Sequence, residues 1–404
     1  MAARWTVAIL LLALPTVAGC RWFEPSPLLE TDFEADPVAA GWSLEAPAGT
    51  VPDGAWTDGG AAGSRCLRVR AGWWASPAVA VEPLAYYRLR FRSEASERGT
   101  WAAVFSDERG DLIAADCYDS LYAPTRWDAT AVCLRAHAEA ARMHLWFHAA
   151  GAPVAVDDVQ LAGAGADQVA AWADAVYAAL PPVRYEPPAD RHRHLPRTMA
   201  ALAGGETVRV VVLGDSIAND LSDGLFEVLV ARAWPGARLE VVTSVRSGTG
   251  CEYYRQDGRL REYALRHGPD LVIIAGISHG CDAEAVRDCV RQIRASGDAD
   301  VWVLSGAVCS LDRMQADMRD RTGLPEAVVA EVFRDWPGRL GAMCAEEKTE
   351  YLDLRAAWEA YLAGSPRPRA WYQRDEVHAN TRGKQILARI LAAYLAPAEP
   401  EPRS

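Results

Sequence analysis

Four short apolar runs in the second half of the chain constrain its fold most tightly. They are "VRVVVLG" from Val208, "LEVVTSV" from Leu239, "DLVIIAG" from Asp270 and "DVWVLSG" from Asp300. Each is rich in β-branched residues and too short for a helix, so each reads as a strand buried on both faces. "EYLDL", from Glu350, adds a shorter fifth. The segments between them have the length of crossover helices. Residues 201 to 397 are therefore expected to form a parallel sheet with helices on both sides.

Residues 29 to 163 follow a different period. "YYRLRFR" puts Tyr87, Leu89 and Phe91 on one face and Arg88, Arg90 and Arg92 on the other. "MHLWFH" alternates Met143, Leu145 and Phe147 with His144, Trp146 and His148. "CLRVRA" and "VAVDDVQL" repeat the pattern, with Gly, Pro and Asp between them. Short strands of period two with such turns predict an antiparallel sandwich. In the neighbours Trp73 and Trp74 successive side chains point to opposite faces, so only one can enter the core. The many indoles of this segment would suit stacking on sugars as well as core packing. Residues 164 to 200 form the joint: "DQVAAWADAVYAAL" has helical spacing, and the proline-rich "PPVRYEPPADRHRHLP" breaks any regular element. His192 and His194 there read as part of a solvated basic linker rather than a metal site.

The chain begins "MAARWTVAILLLALPTVAGC": a charged start, an apolar stretch from Val7 to Val17, then small residues before Cys20. That stretch is short for a bilayer span and reads as an export signal over residues 1–20. "VAGC" resembles a bacterial lipobox, which implies a lipid on Cys20 and a membrane-anchored protein of the cell surface or periplasm. Arg21, in place of Asp after the cysteine, favours the outer membrane. Eight cysteines remain, an even number compatible with disulfides in an exported chain, and no CxxC suggests zinc. The net charge of −12 over 404 residues argues against nucleic acid as a partner.

The first strand runs into "GDS". Gly214 permits a sharp turn, and Ile217, Leu221 and Leu225 fit a helix that follows. Ser216 thus falls at the carboxyl end of the sheet and the amino end of a helix, where open α/β folds bind ligands and backbone N–H groups favour negative charge. Near the other end stands "DEVHANTRGKQILARILAAYL", with Asp375 and His378 just before a helix. A general base needs a neutral imidazole held in one tautomer, which a carboxylate on its far nitrogen supplies.

Together, "GDS" and Asp-x-x-His in this order resemble the SGNH, or GDSL-type, hydrolases. The resemblance implies a flavodoxin-like three-layer α/β/α fold, with Ser216 as nucleophile, His378 as base and Asp375 as its orienting acid. "VRSGTGC" sits where the second family block is expected, implying an oxyanion-binding amide at Gly248, with Gly250 as the other register. "AGISHG" occupies the third block. Gly276 fits it, but Ser278 and His279 stand where asparagine and aspartate are expected. Ser278 is the candidate replacement oxyanion donor, with a His279 ring nitrogen as the alternative donor and a purely structural turn as the other reading; His279 and Gly276 are also candidate substrate contacts. Asp215 reads as structural, bonding loop amides. The first segment, with "FEADPVAAGW" and "VAVDDVQL", resembles jelly-roll carbohydrate-binding modules. The combined expectation is an exported serine esterase acting on acyl, especially acetyl, esters of carbohydrate, with no cofactor or metal. The alternatives are transfer of the acyl group to sugar on the same fold, and a non-catalytic surface glycan-binding lipoprotein.

Overall fold

The computed structural model describes residues 26–397. Cys20 and the expected export signal over residues 1–20 lie outside the described residues. Eight strands form one antiparallel network: β1 (Leu29–Thr31), β2 (Ser43–Glu45), β3 (Asp53–Asp58), β4 (Arg65–Ala75), β5 (Val79–Ala80), β6 (Tyr86–Ser106), β7 (Cys117–Arg135) and β8 (Arg142–Ala164). The main path runs β2-β4-β8-β6-β7, with β1 and β5 on β8 and β3 on β4. The period-two reading holds within it. Tyr87, Leu89, Phe91, Met143, Leu145 and Phe147 are buried in one core, joined by Trp42, Trp74 and Trp101.

The strands are longer than the sequence pattern implies. "MHLWFH" and "VAVDDVQL" belong to the single strand β8, and register shifts along β6 and β4 let the long ribbons bend. Because β7 ends the path, part of its outer edge has no strand beside it.

Five parallel strands follow: β9 (Thr207–Gly214), β10 (Arg238–Val245), β11 (Leu271–Ile274), β12 (Asp300–Leu304) and β13 (Glu350–Leu352). Their order is β10-β9-β11-β12-β13. Alternate residues of β9 enter different cores: Val208, Val210 and Val212 pack with Ile386 and Leu387, whereas Val211 and Leu213 pack with Val290 and Ile293. Both faces of the sheet are thus covered, which explains the uninterrupted apolar runs. The chain leaves β9 for β10 on one side and returns to β11 on the other. That reversal makes the carboxyl ends of β9 and β11 the topological switch point, the place where such sheets bind ligands.

The joint is held down, which corrects the reading of a solvated linker. Between the helices Ala166–Ala178 and Pro196–Ala203, the amides of His192 and His194 donate to the two carboxylate oxygens of Glu350, at 2.7 and 2.9 Å. Cysteine pairing is also resolved: Cys66, Cys117, Cys133, Cys251, Cys281, Cys289, Cys309 and Cys344 are all buried free thiols. They act as small apolar side chains. Among the described residues no group of His, Cys, Asp or Glu could hold a metal ion, and no helix is long and apolar enough to cross a membrane.

Candidate active site

Gly214 is where the strand must turn. A Cβ there would lie 2.0 Å from the Ala275 carbonyl oxygen, so only glycine lets β9 and β11 approach so closely at their ends. The Gly214 carbonyl accepts from the Tyr254 hydroxyl at 2.6 Å and the Arg246 amide at 3.0 Å, which fixes the corner. Asp215 caps the short helix Ser216–Ser222, its Oδ1 accepting from the Ile217 amide at 2.9 Å. Its Oδ2 accepts from the amides of Ile277 and Ser278, at 2.8 and 2.7 Å. One buried carboxylate therefore ties the end of β9 to the loop after β11.

Ser216 Oγ lies 2.8 Å from His378 Nε2. On the other side of the ring, Nδ1 lies 2.9 and 2.8 Å from the two oxygens of Asp375. Asp375 Oδ1 also accepts from the amides of Val377 and His378, each at 2.8 Å. Burial raises the Asp375 pKa, but the imidazole and these two amides outweigh it and hold the carboxyl below the usual carboxylate range. The acid stays charged, so the Nδ1–H tautomer is favoured and Nε2 is left to face the hydroxyl. Ser216, His378 and Asp375 are thus brought into one hydrogen-bonded line from the two ends of the α/β segment.

The loop carrying His378 is clamped from below. The Arg374 amide donates to the His378 carbonyl at 2.9 Å, and Gln373 and Ala379 form an isolated bridge. Asp220, on the serine's own helix, accepts from the Ala379 amide at 2.8 Å and pairs with Arg374 at 3.3 Å. Both charged groups are buried and belong to a wider charge network, in which Arg374 also lies 3.6 Å from Asp375 and Asp220 3.5 Å from Lys384.

The remaining candidates separate. Ser216 starts a helix, and Gly248 is exposed at φ +64° on the loop after β10. Gly250 is packed instead: a Cβ there would sit 2.1 Å from the Ser278 carbonyl oxygen. The Ser278 amide is taken by Asp215, so only its hydroxyl remains to serve an oxyanion. Gly276 and His279 do not fit a substrate-contact role. Gly276, at φ +110°, makes room for Asp215, whose carboxylate would lie 2.4 Å from an added Cβ. The His279 ring is 5% exposed, and its Nδ1 accepts from the Cys251 amide at 3.3 Å. Burial lowers its pKa, so it is a neutral packing group.

Tyr118, Asp119, Asp220 and Arg374 gather at the site without any sequence motif to announce them. The Tyr118 ring centre is 6.4 Å from that of His378, and the Arg374 guanidinium sits 3.3 Å over the Tyr118 ring. Contacts between a strand edge and a loop more than 250 residues away leave no local spacing to read.

No protein-family model and no curated protein matches the chain. Among solved structures it is similar to a catalytic variant of the acetylxylan esterase Axe2 from Geobacillus stearothermophilus, at 15% identity over 48% of this chain and 97% of that one, TM-score 0.36. It is also similar to a two-domain esterase, CEX, active on acetylated mannans, at 16% identity over 52% of this chain and 56% of that one, TM-score 0.37. A third is the enzymatically active domain of bacteriophage CBA120 tailspike protein 4, at 14% identity over 33% of this chain and 20% of that one, TM-score 0.28.

Proposed function

We propose that this protein is a serine esterase with a flavodoxin-like three-layer catalytic domain over residues 201–397 and a jelly-roll domain over residues 29–163. The observation that carries the reading is the line Ser216–His378–Asp375, with both hydrogen-bond steps at 2.8 to 2.9 Å. In this reading Ser216 Oγ attacks the ester carbonyl while His378 Nε2 takes its proton. The oxyanion so formed is held by the amides of Ser216 and Gly248 and by the Ser278 hydroxyl. His378 returns the proton to the leaving alcohol, and the acyl group stays on Ser216. Water, deprotonated by the same imidazole, then releases the acid and restores the serine. Asp375 holds the imidazolium through both steps and keeps its own charge.

A carbohydrate ester is the proposed substrate, with acetyl the favoured acyl group. Support comes from the sandwich. Trp73 stacks on Trp146 with centroids 5.1 Å apart and planes at 27°, and both indoles are half-buried. Trp146 pairs with Ala102, and Ala102 with Tyr118, so Trp146 and Tyr118 share one sheet face. Apolar sugar faces stack well on such rings. We further propose that the chain is exported and anchored through a lipid on Cys20; a Cys20→Ala variant that still incorporates a labelled fatty acid would refute this.

The testing experiment measures acetate released from p-nitrophenyl acetate and from acetylated polysaccharide. The intact enzyme should release acetate from both, and Ser216→Ala should release none above background while remaining folded. Unchanged release by Ser216→Ala would overturn the assignment. Acetyl groups appearing on an added acceptor sugar, at the expense of free acetate, would show transfer in place of hydrolysis.

A further inference from the structure

The edge of β7 meets the catalytic loop directly. The Tyr118 carbonyl, on the open edge, accepts from Arg374 at 3.2 Å and from the Lys384 ammonium at 3.0 Å. The adjoining Asp116 carbonyl accepts from the Asn219 side chain at 2.6 Å. An exposed strand edge normally needs covering, and here the covering groups come from the helix after Ser216, the loop before His378 and the helix Thr381–Leu395.

Two side chains of this strand reach further. Asp119 Oδ2 accepts from the Thr381 amide at 2.5 Å and also from the Thr381 hydroxyl. Thr381 opens the helix Thr381–Leu395, whose next two amides are capped by Asn380. The first free amide of that helix is therefore satisfied by a carboxylate from the other sheet, three residues after His378. Tyr118, on the opposite face of β7, meets both the Arg374 guanidinium, 3.3 Å from its ring centre, and the His378 ring, at 6.4 Å. Burial pushes its phenol up to about 12 against the pull of Arg374, so the ring stays neutral and acts by shape.

The His378 loop is thus fixed at three points: Arg374 before it, Ala379 just after it, and Thr381 at the start of the helix. Asp220 supplies the Ala379 anchor from within the α/β unit and shares the Arg374 anchor with Tyr118, whereas Asp119 supplies the Thr381 anchor from the sandwich. We propose that the sandwich edge strand is a working part of the active site, with Tyr118 and Asp119 as positioning residues for His378. The proposal rests on the reading of Ser216, His378 and Asp375 as the catalytic groups.

Steady-state kinetics on p-nitrophenyl acetate and the rate of fluorophosphonate labelling of Ser216 test it together. An imidazole displaced by a fraction of an ångström to about 1 Å loses on the order of 10- to 100-fold in rate. Asp119→Ala and Tyr118→Ala should each lower kcat and the labelling rate by about that much, with KM within about twofold. Asp119→Asn keeps an acceptor for Thr381 and Tyr118→Phe keeps the ring, so both should recover most of the rate. Thr381→Val, which removes only the hydroxyl contact, gives a milder loss and serves where Asp119→Ala fails to fold. Cys117→Ala is the control: its Sγ meets Asp223 at 3.2 Å on the same strand without touching the loop, and its rates should equal those of the unaltered protein.

Labelling and kcat unchanged in Asp119→Ala, Tyr118→Ala and Thr381→Val would overturn the proposal while leaving the catalytic reading intact. An equal loss in Cys117→Ala would overturn it too, as it would reduce the effect to docking of the two units. Failure of the unaltered protein to be labelled at all would overturn both.

Discussion

At the scale of single residues, the account turns on how one carboxylate is used. Asp375 binds the Nδ1 side of His378 and two backbone amides, while its side chain remains 48% exposed. Its exposure makes it a weak contributor to stability, because solvent screens its charge. Its value is in choosing a tautomer. In Asp375→Asn the oxygen can keep the amides, but the NH₂ group then faces Nδ1 and forces the proton to Nε2, where it can no longer accept from Ser216. The expected result is a fall in kcat of roughly 10³–10⁴-fold with KM little changed and the fold intact. Parallel kinetics and circular dichroism on the purified variant check it, and a kcat within tenfold of the unaltered enzyme would contradict it. Asp215 shows the other use of a carboxylate: it accepts from three backbone amides, so it shapes the site and takes no part in proton transfer.

At the scale of elements, legibility follows locality. The strands β9 to β13 were readable because each packs on both faces and so carries an unbroken apolar run. Ser216 was readable because Gly214, Asp215 and Ser216 form one contiguous corner, and Asp375 with His378 because they share one short loop. The alternation of β6 and β8 located their inward faces but not their lengths. Turn residues between "MHLWFH" and "VAVDDVQL" suggested two strands, whereas the ladder to β6 and β4 carries β8 through. Packing needs were harder to see from the sequence. The resemblance of the third block suggests His279 as a contact, but its burial beside Cys251 and Asp215 emerges only when β10 and β11 flank β9 and their following loops meet. The even cysteine count allowed disulfides, and the fold instead distributes the thiols among separate apolar cores.

At the scale of the whole molecule, the two sheets meet through buried polar groups. Arg135 of β7 pairs with Glu227 and donates to Ser222 at 2.7 Å, while Tyr86 donates to Glu227 at 3.2 Å. Nearby, His137 is neutral and uses both nitrogens: Nε2–H donates to the Thr243 carbonyl at 2.7 Å, and Nδ1 accepts from the Glu139 amide at 3.1 Å. Burial lowers its pKa to about 4, outweighing the Thr243 carbonyl. An unfolded histidine titrates near 6.5, so between roughly pH 6.5 and 4 the unfolded chain takes up a proton that the native protein refuses. This contribution to stability is complete above that window and is lost as pH falls through it. Asp116, raised to about 6 by burial and by Asp223, works in the opposite sense over part of the same range. The discriminating quantity is therefore a difference: urea unfolding free energy should fall less steeply from pH 7 to 4.5 in His137→Gln than in the unaltered protein, and equal slopes would contradict the buried neutral state. The central claim, that His378 activates Ser216, is tested most directly by intact-mass measurement of fluorophosphonate labelling. The account predicts a single adduct on Ser216, none in Ser216→Ala, and labelling of His378→Ala slowed by about 10³-fold or more. An adduct on another residue, or undiminished labelling of His378→Ala, would contradict it.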